Sequence, residues 1–166
     1  LLDPYWFLNI DATLSAARAH HTSTLLADGR ILIAGGMGTS SGTTPLNTCQ
    51  LFDPKSGTLS TVPNMSSARW AHTATLIPTG DVLVVGGYGS SGAMGTFEVY
   101  NPSTNTWTAG SYNLSTGIYH HTATLLSTGK VLIAGGNTGS SSSNSSHLFD
   151  SSVPYTTSNP WSASGI

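Results

Sequence analysis

One strand motif recurs three times in this chain at near-equal spacing, and self-similarity at such a period fixes the architecture before any local preference does. His21-Thr22-Ser23-Thr24-Leu25-Leu26 returns as His72-Thr73-Ala74-Thr75-Leu76-Ile77 and as His121-Thr122-Ala123-Thr124-Leu125-Leu126. The period is therefore about 50 residues. Each copy passes a glycine turn (Asp28-Gly29-Arg30, Thr79-Gly80-Asp81, Thr128-Gly129-Lys130) into a β-branched run. That run ends in a glycine pair: Gly35-Gly36, Gly86-Gly87, Gly135-Gly136. An apolar-aromatic strand follows and closes in a turn, at Leu51-Phe52-Asp53-Pro54, Val99-Tyr100-Asn101-Pro102 and Leu148-Phe149-Asp150-Ser151. A fourth strand carries Leu59, Trp107 or Trp161. The first repeat predicts strands at 20–26, 30–35, 47–53 and 58–62, and the next two repeat the pattern, giving a four-stranded antiparallel meander each.

The second strand of each repeat (Ile31-Leu32-Ile33-Ala34, Val82-Leu83-Val84-Val85, Val131-Leu132-Ile133-Ala134) has no polar face. Both of its sides must be covered, as happens when small sheets stack as blades. The glycine pair that ends it implies positive φ or a neighbouring backbone too close for a Cβ. A helical solenoid is excluded, because a 3.6-residue apolar period is nearly absent. The expected fold is thus all-β: a β-propeller segment of about three four-stranded antiparallel blades, at 15–65, 66–114 and 115–166. Residues 1–14 read as the end of a preceding blade, since Leu2-Asp3-Pro4 aligns with Phe52-Asp53-Pro54. Propellers close with roughly four to eight blades. The expectation is an excerpt of a longer chain, the alternative being a homodimer that closes a six-bladed ring. The start, Leu1-Leu2-Asp3-Pro4, reads as processed or cut, with neither an initiator Met nor a signal-peptide n-region.

Only 7% of residues are charged, and Ser, Thr and Gly supply most of the polar surface. Five Lys and Arg against seven Asp and Glu form no basic stripe, which argues against a nucleic-acid partner. No apolar run approaches the roughly 20 residues of a membrane helix. Cys49, the single cysteine, has no disulfide partner in the chain. The hydroxyl-rich, charge-poor composition leans towards an extracellular or cell-surface protein.

The Arg-x-x-His strand, the glycine pair, the spaced aromatic and the later Trp together resemble the kelch repeat, in its bacterial type, over essentially the whole chain. Ile118 stands where the first two repeats have Arg18 and Arg69. The resemblance implies a propeller whose innermost strand is the His-Thr-Ala-Thr strand. It also implies that recognition is built on the loops joining second to third strands and blade to blade. Kelch propellers include scaffolds and enzymes, so the fold alone does not choose between them.

Candidate binding residues cluster just before the repeated histidine, at one channel mouth: Arg18 and His20, Arg69 and Trp70, Tyr119 and His120. Trp70 and Tyr119 suit stacking on a sugar ring or a peptide side chain, with His20 and His120 supplying hydrogen bonds. The plainer reading is that they plug the channel. The repeated His21, His72 and His121 are expected to be structural, because a repeat spreads equivalent residues around an axis whereas metal ligands must converge. Tyr119-His120 and the strand after it are similar to the copper-ligand strand of galactose oxidase-like propellers. That chemistry would need a second His and a Tyr cross-linked to a Cys, and Cys49 lies in a third strand. The glycine- and serine-rich loops at 37–46, 88–95 and 137–146 precede no helix and make no phosphate cradle. Asn64-Met65-Ser66, Asn113-Leu114-Ser115 and Asn144-Ser145-Ser146 match the glycosylation pattern at about the frequency chance gives. No constellation of nucleophile, base and oxyanion donor emerges. The sequence therefore points to a non-catalytic module without metal or cofactor that scaffolds or binds a protein, with glycan binding as the alternative and copper oxidation as the remote one.

Overall fold

The computed structural model describes residues 12–38 and 44–163, so the expected end of a preceding blade lies largely outside the described residues. Three four-stranded antiparallel sheets succeed one another along the chain. The first comprises Thr22–Leu25, Ile31–Ala34, Cys49–Asp53 and Thr58–Val62, laid side by side in chain order. The second has Thr73–Leu76, Val82–Val85, Phe97–Asn101 and Thr106–Ala109; the third has Thr122–Leu125, Lys130–Ala134, Ser146–Asp150 and Trp161–Ala163. Short turns make each sheet a meander: Gly29 N donates to Leu26 O at 3.0 Å, and Gly57 N to Asp53 O at 2.8 Å. The longer connection between second and third strands holds a small hairpin in two blades, Met37–Gly38 with Thr44–Pro45 and Tyr88–Gly89 with Gly92–Ala93. No helix among the described residues is long and apolar enough to cross a membrane.

The sheets stack face to face, and Val82–Val85 shows how. Val82 and Val84 pack with Leu32, Leu51 and Tyr100 in a core between the first two blades. Leu83 and Val85 pack with Val131, Ile133 and Phe149 in a core between the second and third. Side chains alternate faces along a strand, so these are opposite sides of one sheet, and all four residues are at most 1% exposed. The fourth-strand tryptophans tie each blade to the one before it: Trp107 Nε1 donates to Pro63 O at 2.9 Å and Trp161 Nε1 to Tyr112 O at 2.7 Å. An aromatic body is buried while its one polar group finds a partner, which suits Trp at this seam.

A buried ion pair anchors the middle blade. Arg69 Nη2 lies 2.9 Å from Glu98 Oε1, with the two side chains 0% and 2% exposed. The remaining valences are filled as well. Arg69 Nη1 donates to Gly86 O and Thr96 O at 2.7 and 3.1 Å, and Glu98 accepts from the Ser66 and Ser67 amides at 2.7 and 3.1 Å. Arg18 makes the corresponding bonds in the first blade, to Gly35 O at 2.8 Å and Thr48 O at 2.9 Å. In the third blade Ile118 sits in the apolar core instead, at 3% exposure.

In the first two blades the first glycine of the pair faces the next blade. A Cβ on Gly86 (φ +63°) would lie 2.4 Å from Ile118 O and 2.9 Å from His121 Cε1. On Gly135 (φ +69°) it would meet nothing nearer than Ser143 O at 3.7 Å. Both positions disfavour a side chain through φ, by about 1–2 kcal/mol. Only Gly86 adds overpacking, typically about 1–3 kcal/mol. In the 166-residue chain, urea melts of Gly86→Ala and Gly135→Ala should therefore differ clearly, with Gly86→Ala the more destabilised; equal losses would contradict the stacking.

Candidate functional site

The innermost strands of successive blades are bonded through their side chains. Thr22 Oγ1 lies 2.9 Å from His72 Nε2, and Thr73 Oγ1 lies 2.8 Å from His121 Nε2. His72 and His121 thus join blade to blade. The Nδ1 atoms of all three repeated histidines are buried and make no regular hydrogen bond. Burial accordingly holds His72 down to about 3 and His121 to about 4, and it lowers His21 as well.

The residue before each of these histidines has a left-handed backbone: φ is 53° at His20, 52° at Ala71 and 54° at His120. A non-glycine residue there is uncommon, and a backbone relay between blades holds these three. Ala71 N donates to His20 O at 3.0 Å, and His120 N donates to Ala71 O at 2.9 Å. The turn aims the neighbouring side chains at a common end of the axis, where five rings meet in a closed circuit. Centroid separations are 5.5 Å for His20–Trp70, 5.2 Å for Trp70–Tyr88, 5.0 Å for Tyr88–Tyr119, 5.2 Å for Tyr119–His120 and 5.6 Å for His120–His20. The two histidines are exposed, and the three larger rings are half-buried. Beside Tyr88, a groove of about 360 Å³ is lined by Ser66, Ser67, Ser90, Ser91 and the Gly92–Ala93 edge of the hairpin.

The kelch motif family model matches residues 69–113, the middle blade. Kelch-like protein 36 of Mus musculus is 35% identical over 101 residues, and that of Rattus norvegicus is 34% identical over 101 residues. Each alignment covers 59% of this chain and 16% of the relative. The middle blade carries a kelch motif. The chain spans about a sixth of the length of the curated relatives it matches.

Of the expected mouth residues, the structure brings His20, Trp70, Tyr119 and His120 together. Two do not belong with them. Arg69 is wholly buried, and its guanidinium is spent on Glu98 and on the carbonyls of Ser67, Gly86 and Thr96. The Arg18 guanidinium is turned into its own blade, with Nη1 and Nη2 on Gly35 and Thr48 and its Nε buried without a partner. Burial lowers the Arg69 pKa from its ordinary value, and the Glu98 charge opposes that.

Sequence reasoning missed Tyr88 and Glu98. Tyr88 follows the glycine pair and bridges Trp70 through reciprocal backbone bonds, as Met37 does to Ala19 and Asn137 to Tyr119. Aligning the residue after each glycine pair would have found it. Glu98 is the chain's one glutamate, set between Phe97 and Val99 in a strand of the core, and that isolation was its signal. Cys49 is buried in the first core with its thiol pushed up to about 11, away from the tyrosines of the axial end. The Tyr–Cys pairing that copper-radical chemistry requires is therefore not met by these residues. No group of three or more His, Cys, Asp or Glu among the described residues is arranged to hold a metal ion.

Proposed function

We propose that this kelch segment is a non-catalytic protein-contact module working outside the cytoplasm, and that its contact surface is the five-ring axial end. The circuit of Trp70, Tyr88, Tyr119, His20 and His120 carries the reading. It offers rigid aromatic area at low entropic cost, held just before the inner strands by backbone bonds between blades and to the following loops, which is the makeup of interface hot spots. No nucleophile with a base and an oxyanion donor converges there among the described residues. The hydroxyl-rich, charge-poor surface supports the location.

The test is panning of a random peptide-display library against the purified chain. Binders should be enriched, and Trp70→Ala or Tyr119→Ala should weaken them by about 2 kcal/mol or more, roughly 30-fold. Binders that tolerate both changes would count against this surface. The serine-lined groove beside Tyr88 favours one second reading, in which a glycan stacks on Trp70 and Tyr119 and bonds the hydroxyls. Glycan-array binding lost in both variants would favour it; binding kept by both would remove it.

A further inference from the structure

We propose that His20 and His120 form a two-imidazole site for one divalent late transition-metal ion, of the Zn²⁺ or Ni²⁺ type, at the axial end. The inference goes beyond the protein-contact reading and stands whether or not peptides bind there. The two histidines belong to the first and third blades, yet their rings are 5.6 Å apart and nearly perpendicular, at 79°. Ala71 occupies the same left-handed position in the blade between them, and backbone bonds tie it to both histidines.

Three further observations point to a ligand. None of the four ring nitrogens of His20 and His120 makes a hydrogen bond among the described residues, whereas His72 and His121 of the inner strands each bond a threonine. Both imidazoles are exposed and free to present a nitrogen. Both also sit on strained backbone that the inter-blade relay fixes, and strain of that kind concentrates at functional sites. With metal–nitrogen bonds of about 2.0–2.1 Å, two imidazoles sharing one ion place their ring centres about 5–6 Å apart. The observed separation falls in that range. Neutral imidazole suits Zn²⁺, Ni²⁺ and Cu²⁺ and does not suit Mg²⁺ or Ca²⁺, which take oxygen ligands. Two protein nitrogens leave the remaining positions to water or to a donor group of a bound partner, and Trp70 and Tyr119 wall one side of the site.

Isothermal titration of the purified chain with Zn²⁺, and separately with Ni²⁺, tests the assignment. Saturable binding of one ion per chain is expected. His20→Asn and His120→Asn are the informative variants, because Asn accepts the left-handed conformation without supplying an imidazole. Each should weaken binding by more than the roughly 10–100-fold that loss of an outer-shell partner costs. His147→Asn, on the third strand of its blade, should leave it unchanged, and circular dichroism should show all three variants folded. Absence of saturable binding would overturn the proposal, as would binding that survives both mouth substitutions or is lost with His147→Asn.

Discussion

Arg69→Met is expected to lower the stability of the chain by about 3–5 kcal/mol, because it strands Glu98 as an unpaired charge in the interior. Arg69 bridges Glu98 to the carbonyls of Gly86 and Thr96, so its loss also leaves buried acceptors without donors. Replacing both partners, as Arg69→Met with Glu98→Leu, should recover much of the loss, since an apolar pair needs no solvation. The third blade takes half of this solution: Ile118 fills the arginine position inside the apolar core, while His147 takes the place of Glu98 in the register. Urea unfolding of the wild type and the two variants checks the prediction. A loss below about 1 kcal/mol for the single change, the level of a surface ion pair, would mean the pair is solvated.

Acid should destabilise the protein well above the range in which carboxylates titrate. Burial, with Arg69 and the other histidines adding repulsion, holds His72 near 3; burial and His120 hold His121 near 4. In the unfolded chain both return to about 6.5. Below about pH 6.5 the unfolded chain therefore binds protons that the folded chain refuses, and stability falls as pH falls. The full contribution is present above about pH 6.5. It is lost from both residues between about pH 6.5 and 4, and from His72 down to about 3, at a slope of at most about 1.4 kcal/mol per pH unit for each. Urea midpoints at pH 7, 6, 5 and 4 should drop steadily, and His72→Gln should flatten the dependence. Midpoints that do not move between pH 7 and 5 would show that these imidazoles ionise freely in the fold.

The blades were legible because the repeat carries their physics in plain residues. An all-apolar second strand such as Val82–Val85 can exist only between two covering layers, and the structure covers it on both sides. Long-range pairing inside the blades was not legible. Arg69 looked like a ligand-facing cation because its distance from Glu98 in sequence hid the partner that buries it. The axial end was half legible. Trp70 and Tyr119 could be aligned by the repeat, whereas Tyr88 lies in a loop whose direction is set by the hairpin and by its bridge to Trp70. The approach of His20 to His120 depends on how the stacked sheets are set against one another. No pairwise reading of one strand contains that information.

Face-to-face stacking about a common axis is open to one direct NMR measurement. A NOESY spectrum of the chain with isotopically labelled histidine should show His20 ring protons close to those of both Trp70 and His120, residues remote in sequence but 5.5 and 5.6 Å away by ring centroid. Intact β-sheet signals without those cross-peaks would mean that the three sheets do not share an axis.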